Sequence, residues 1–393
     1  MALRTRVLPV ALVAGLVATG AAGCGSSGKK VPVPGSAGGT AAGVAQAGTG
    51  GAGDSKAKDP QSALSEGLVA LGKQQALDVV VKLAASPDDL VALDTSSGTN
   101  KPLTADQAKL FTGGDFELIS KSTNGAAIAD AKGAVNTAFL VHSDGSPLFE
   151  LRTIGGTALY ARADVDKILT LSKTPRSKID QQLASVPPQY AFVKDAANGK
   201  WLKVDIAALK GLTSQLGGAA IPSVDPTQAA AISGALVDAL KKDVGATRGA
   251  DSDKGDHLVL TTNSRALFTD VVSTFSKVVP GGAAALSSLK RQSVPDRTIT
   301  LDAYLKGGTL SEVSLELTQF VSPADMAKLG GKKLPLDMVF KGQAPDVTAP
   351  TEATTVDVQG LLAGVLGGLK GGSGATLAPG ATAAPLPTSH ATP

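Results

Sequence analysis

Hydrophobic and polar residues alternate in several short runs of this chain, the first clear one containing Leu77, Val79, Val81 and Leu83. Successive side chains of a β-strand point to opposite faces of the sheet, so a period of two predicts a strand with one buried face. Similar patterns predict strands at residues 116–121, 138–142, 149–154, 158–163, 200–206, 257–262, 298–305, 310–318 and 334–340.

Helical segments separate these strands, and several begin at residues that favour a helix start. Residues 62–73 have the spacing of an amphipathic helix. Asp164 and Asn263 stand where a side-chain oxygen caps the first turn of a helix, and Asp225-Pro226 begins another that extends to about Lys242.

Ser86-Pro87-Asp88-Asp89 predicts one more short helix, with a serine cap and an acidic first turn, and places Asp94 in the loop after it. Helices that alternate with paired strands predict an α+β fold built on an antiparallel sheet.

Two predicted strand pairs are joined by Gly-Gly, at residues 155–156 and 307–308, which indicates β-hairpins. The register of a hairpin must keep its apolar side chains on one face. An odd-length loop with a left-handed glycine satisfies this condition in both hairpins. The predicted cross-strand pairs are Leu151–Ala161 and Glu150–Arg162 in the first hairpin, and Leu301–Val313, Ile299–Leu315, Thr300–Ser314 and Asp302–Glu312 in the second.

The N-terminus has the pattern of a secretory signal. Residues 1–9 carry Arg4 and Arg6 with no acidic residue, and residues 10–22 are almost wholly Ala, Val, Leu and Gly. Small residues then lead directly into Cys24, which resembles the bacterial lipobox, although Ala21 stands where leucine is usual. A signal peptidase cuts a lipobox before the cysteine, whose thiol carries a diacylglyceryl group.

Cys24 is the single cysteine of the 393 residues, and acylation would account for it. Two acyl chains anchor a protein stably, whereas one holds it only marginally. The sequence therefore predicts an extracytoplasmic protein, held to the outer face of the cell membrane by a lipid on Cys24. The alternative is an unmodified cysteine in an ordinary signal peptide.

Composition divides the rest of the chain. After a signal peptide at 1–23, residues 24–60 are rich in Gly, Ala and Ser and predict a flexible tether. Residues 61–345 form the predicted domain, and 346–393 a low-complexity C-terminal tail. An apolar patch within the tail has helical spacing but is interrupted by four glycines, so it either packs on the domain or serves as a mobile lid or membrane contact. Its apolar residues are Leu361, Leu362, Val365, Leu366 and Leu369.

Charge and motifs exclude several function classes. Lys and Arg number 37 against 34 Asp and Glu, without a basic stripe interleaved with aromatics, which argues against nucleic acid binding. Residues 67–73 have the spacing of a phosphate-binding loop, but Gln74 stands where that loop requires Ser or Thr. His142 and His257 lack the companion residues of a metal site or a catalytic triad. We predict no enzyme activity, no metal and no cofactor.

The layout resembles the actinobacterial lipoprotein family typified by LppX and LprG, whose fold is similar to that of the carrier LolA. The resemblance rests on Cys24 and its tether, the helix and strand at 64–84, the hairpins at 149–163 and 298–320, and the strands at 200–205 and 256–260. None of these motifs is catalytic or tightly specific. The family implies a curved, open half-barrel with helices over its concave face and an apolar cavity that holds acyl chains.

A lipid ligand is also physically reasonable for the apolar face of the predicted sheet. Ala-rich helices such as residues 229–240 fill space poorly against branched side chains, and an aliphatic gap accepts an apolar guest. Trp201 is a hydrophobic anchor that could also contact this guest. The candidate lipid-binding residues are Leu151, Leu159, Trp201, Ile299, Leu301, Val313 and Leu315.

Two functions remain open from the sequence. The first is the binding, and transfer, of an acyl lipid between the membrane and the outer envelope. The second is a non-enzymatic adaptor that scaffolds an envelope protein partner through a filled, cavity-free domain.

Overall fold

A 12-stranded sheet organises the fold of this protein. The structure, a computed structural model, describes residues 55–96, 103–131, 133–215, 242–278, 296–321, 326–327, 330–358 and 360. The strands follow one another in the order β12-β6-β5-β4-β3-β2-β1-β11-β10-β9-β8-β7. Their bounds are β1 Ala76–Leu83, β2 Gly114–Ser122, β3 Val135–Ser143, β4 Ser146–Ile154, β5 Ala158–Ala163, β6 Leu202–Asp205, β7 Val244–Arg248, β8 Asp256–Asn263, β9 Thr298–Lys306, β10 Thr309–Glu316, β11 Pro335–Lys341 and β12 Thr354–Thr355.

Neighbouring strands are antiparallel except at one edge, where β12 lies parallel to β6. With its helices, this sheet makes the protein α+β, as the alternation of helices and strands predicts. The helices of the described residues are α1 Pro60–Gly72, α2 Pro87–Ser96, α3 Ala105–Thr112, α4 Val165–Leu171, α5 Arg176–Ala184, α6 Ala191–Ala197, α7 Ile206–Gln215 and α8 Ser264–Val278.

The predicted helix starts at Asp164 and Asn263 are confirmed, because the side chain of each accepts hydrogen bonds from backbone N–H groups of the turn that follows. Ser86 likewise accepts from Asp89 N at 3.1 Å. The prediction for Asp94 is wrong: it lies inside α2, buried, and accepts a hydrogen bond from Leu103 N at 2.6 Å. The helix that we predict from Asp225 lies outside the described residues.

The first hairpin has the predicted register. Leu151 lies opposite Ala161 and Glu150 opposite Arg162, and a three-residue loop joins Ile154 to Ala158. Gly155 and Gly156 have φ of 58° and 67°, in the left-handed region that glycine adopts without a Cβ clash.

The register predicted for the second hairpin is wrong. Its loop has two residues, Gly307 and Gly308, and the odd residue is absorbed by a β-bulge between Leu310 and Glu312. The bulge keeps apolar residues paired, because Leu301 faces Leu315 rather than Val313. It also separates the two acids that we expected to be neighbours. Ala303 now lies opposite Val313, Asp302 opposite Ser314, and Tyr304 opposite Glu312.

Helix α1 closes one part of the sheet. Its residues Leu64, Leu68 and Leu71 are buried in one cluster with Leu258 and Leu305 of the sheet. At Gly67 a Cβ would lie 2.5 Å from a Leu305 methyl, so any larger residue would force this buried side chain to move. The spacing of residues 67–73 therefore belongs to a packed helix and not to a phosphate-binding loop.

Beyond β11, residues 342–358 form a segment that we call the strap. It crosses from β11 to β6 and therefore continues past residue 345, where the sequence predicts the end of the domain. Asn136 Nδ2 donates to Val347 O at 2.8 Å, and Arg152 Nη1 donates to Thr348 O at 2.8 Å. Val347 is buried with Ile119 in a small apolar cluster. The strap ends in β12 beside β6.

Candidate functional site: the apolar face of the sheet

One face of the sheet is apolar along nearly its whole width. Residues directly opposite each other on neighbouring strands share a face, so a row of paired residues traces it. One such row runs across seven strands with hydrophobic residues only. Its members, from β4 to β9, are Phe149, Val141, Phe116, Val81, Met338, Val313 and Ala303.

All six aliphatic residues predicted to bind lipid lie on this apolar face. Leu151 and Leu159 lie on β4 and β5, and the other four on β9 and β10. The alternation of the strands therefore places them together correctly, even though the register of the second hairpin differs.

The four candidates on β9 and β10 have a different environment from the two on β4 and β5. Ile299 and Leu315 are each 6% exposed and pack with Leu90 and Leu93 of α2 and Ala108 of α3. Leu301 and Val313 are partly buried against the neighbouring clusters. This part of the face, on β1 and β7–β11, is called the closed half. Its side chains already contact helices of the protein.

The remaining part, on β2–β6, is called the open half. Phe116 is 54% exposed and Phe139 is 36% exposed, and their rings stack with centroids 6.3 Å apart. Leu151, which lies opposite Phe139, is half-buried, and so is Leu159 on β5 of the same face. A group of large apolar side chains left in contact with water marks a surface for an apolar ligand or a protein partner. The sequence analysis missed Phe116 and Phe139, although the same alternation that predicts β2 and β3 assigns both to this face.

Trp201 does not belong to this surface. It precedes Leu202 on β6, and because successive residues alternate, it projects to the opposite, polar face. There Arg152 and Arg162 lie over its ring, with guanidinium carbons 4.8 and 4.7 Å from the ring centre. Glu150 is buried beneath them and pairs with both arginines, at 2.6 and 2.8 Å. The structure thus places Trp201, which we predict to contact lipid, on the face opposite to the six aliphatic candidates.

Trp201 also lines a surface depression of about 480 Å³. The depression lies between this tryptophan, Arg152, Lys200 and residues 350–354 of the strap. Its two cations have partners within the protein: Lys200 pairs with Asp195 at 2.8 Å, and Arg152 pairs with Glu150. The depression therefore marks the place where the strap packs against the sheet.

Ionisable side chains cluster on the polar face near β1. Asp78 is 3% exposed and accepts from Lys341 Nζ at 2.9 Å through Oδ2, while its Oδ1 has no hydrogen-bond partner among the described residues. Glu117 lies beside it, and His142 contacts Asp115 at 2.7 Å and Glu117 at 3.7 Å. Burial, followed by the neighbouring Asp78 carboxylate, raises the pKa of Glu117 above its usual value.

We expect Glu117→Gln to remove the part of the pH dependence of the unfolding free energy that arises from this carboxyl group. A raised pKa means that the folded state binds the proton more tightly than the unfolded state does. The stability gained from this proton is complete below pH about 4.3, the ordinary pKa of glutamate. It is lost as the pH rises through the pKa of Glu117 in the folded state. The glutamine variant imitates the protonated form. Its unfolding free energy at pH 7 should equal or exceed that of the wild type, and the difference should vanish near pH 4.

Urea unfolding at a series of pH values measures this effect. Glu312→Gln is the matched control, because Glu312 pairs with Lys254 at 2.6 Å and its loss should weaken the fold at pH 7. A Glu117→Gln protein that is clearly less stable than the wild type at pH 7 would contradict the prediction.

Within the described ranges, no three His, Cys, Asp or Glu side chains are grouped so that they could hold a metal ion. The described helices also include none with the length and apolar character needed to cross a membrane. Cys24 lies outside the described residues, so its lipid remains a prediction.

Comparison of the chain with models of known protein families gave no match, and comparison with curated proteins gave no significant match either. Arguments about function therefore rest on the geometry of the site.

Proposed function

We propose that this protein is an extracytoplasmic lipoprotein, anchored through Cys24, that binds an acyl lipid on the open half of its apolar face. The observation that supports this proposal is the exposure of Phe116 and Phe139 on the same face as half-buried Leu151 and Leu159. Water contact at these side chains is unfavourable, and an apolar ligand removes it.

The open half has a suitable size for an acyl chain. Neighbouring strands lie about 4.8 Å apart, so the distance from β2 to β6 is roughly 19 Å. Each buried methylene contributes about 0.8 kcal/mol, so a long chain binds without any specific polar contact. We expect broad selectivity for chain length and head group. The proposal includes a sheet that curves around the ligand as an open half-barrel, with helices over the concave side, as in the LppX and LprG family.

A charge placed on the open half should abolish binding. Phe139 is exposed enough for Phe139→Glu to fold, but the carboxylate would face the hydrocarbon chain, and burying an unpaired ion is strongly unfavourable. We expect at least about a tenfold loss of affinity, which corresponds to about 1.4 kcal/mol. The matched control is Met326→Glu, because Met326 is 37% exposed but lies outside the sheet.

Native mass spectrometry of residues 25–393, after incubation with dioleoylphosphatidylcholine vesicles, provides the measurement. The wild type and Met326→Glu should carry one lipid and Phe139→Glu should carry none. A wild-type chain that neither copurifies with lipid nor acquires it from vesicles would overturn the proposal. The open half would then be a protein-docking surface, as in the adaptor alternative.

A further inference from the structure

Three hydroxyl side chains form a row across the open half of the apolar face. Ser120 of β2 lies opposite Thr137 of β3, and Thr137 lies opposite Thr153 of β4. Phe139 and Leu151 stand two positions from Thr137 and Thr153 on the same strands, so all of them project to one face. We call Ser120, Thr137 and Thr153 the hydroxyl row.

The hydroxyl row is polar but makes no hydrogen bond with its own hydroxyl groups among the described residues. Ser122, two positions further along β2, behaves differently, because its hydroxyl donates to Asn124 Oδ1 at 2.8 Å. The buried side-chain oxygens that lack a partner do not include those of the hydroxyl row, so its three oxygens still reach the surface. Each can therefore donate a hydrogen bond to a ligand and accept one from it.

Charged side chains are missing from this part of the apolar face. The hydroxyl row continues to Leu159 and Val204, and the two rows beside it are wholly apolar. Their members on β2–β6 are Leu118, Phe139, Leu151, Ala161 and Leu202 in one row, and Phe116, Val141, Phe149 and Ala163 in the other. A buried carboxylate or phosphate would find no ion pair here, which is strongly unfavourable. The groups that fit the row are uncharged hydrogen-bond acceptors.

From this arrangement we propose that the hydroxyl row binds the ester carbonyls of an O-acyl lipid, whose chain then runs along the strands over Phe139 and Phe116. Neighbouring strands are about 4.8 Å apart, so two adjacent hydroxyls can meet two esters of one glycerol unit. This inference rests on the proposed function and names its ligand class. Burial of the chain supplies most of the affinity, and the hydroxyl row fixes the orientation.

The orientation also explains where the head group goes. Thr153 lies two residues before the exposed loop of Gly155 and Gly156, whereas Phe116 and Phe149 lie towards the other end of their strands. Thr137 and Val141 are four residues apart on β3, which is about 13 Å of apolar surface for the chain. The ester end therefore lies beside the loop, and the head group extends past it into water. Broad head-group selectivity follows.

Competition between an ester lipid and an ether lipid tests the hydroxyl row. Residues 25–393 are incubated with vesicles that contain equal amounts of dioleoylphosphatidylcholine and of its ether analogue, which lacks both carbonyls. The two lipids differ in mass, so native mass spectrometry reads the bound ratio from one sample. The wild type should prefer the ester lipid about tenfold, as expected for the loss of two ordinary hydrogen bonds.

Removal of two hydroxyls should abolish this preference. Thr137→Val combined with Thr153→Val keeps the shape of both side chains and should bind the two lipids equally. The matched control is Thr261→Val, because Thr261 is exposed on the opposite face of β8 and its loss should leave the ratio unchanged. A wild type that binds both lipids equally, or a double variant that keeps the preference, would overturn the role of the hydroxyl row alone. A wild type that binds neither lipid would overturn the proposed function as well.

A photoreactive lipid tests the orientation independently. Dioleoylphosphatidylcholine with a diazirine at the end of one chain should label residues 141–149, near the β3–β4 turn. Labelling of residues 153–159 instead would show that the chain runs in the opposite direction and that its esters do not lie on the hydroxyl row.

Discussion

Leu258→Ala should lower the free energy of unfolding by about 2–5 kcal/mol, whereas Leu151→Ala should lower it by about 1 kcal/mol or less. Leu258 is 0% exposed and lies in the cluster under α1, so its truncation leaves a cavity that the packed neighbours cannot fill. Leu151 lies on the same face of the sheet but is half-buried in the open half, where water already reaches part of its surface.

Urea unfolding of both variants measures this difference between the halves. The midpoint of Leu258→Ala should fall strongly with an unchanged slope, since the surface exposed on unfolding stays similar. Equal losses for the two variants would show that the open half is packed as tightly as the closed half. The lipid proposal would then lose its binding surface.

Cys24→Ala should release the protein from the membrane. Its thiol is the only cysteine side chain available to carry an acyl group. Because two acyl chains hold a protein stably, we expect a change from almost wholly membrane-bound to released into the medium or retained as an uncleaved precursor.

Fractionation and palmitate labelling measure this effect. A control variant that lacks residues 36–50 of the tether keeps Cys24 and should remain labelled and membrane-bound. A Cys24→Ala protein that still incorporates palmitate and sediments with membranes would show that the anchor lies elsewhere.

Alternation along the chain determined much of the sheet by itself. The period of two identified β1 to β5 and placed Leu151, Leu159, Leu301 and Leu315 on one face, because the direction of a side chain in a strand depends only on its position in that strand. The same logic fixed the register of the first hairpin, where the number of loop residues and the buried face agree. Helix starts at Asp164 and Asn263 were equally local, since a cap bonds within its own first turn.

Tertiary structure decided what lies against each surface. The extra residue of the second hairpin lies in a bulge before Glu312 and not in the loop. This arrangement also pairs apolar residues with each other, since Leu301 lies opposite Leu315. The strap crosses strands that are far away in sequence, where it accepts a hydrogen bond from Arg152 and donates one to the backbone of Trp201. Helix α1 covers Leu258 but leaves Phe116 and Phe139 exposed. Periodicity specifies that a face is apolar, whereas the arrangement of distant segments specifies whether that face is filled by the protein or left for a ligand.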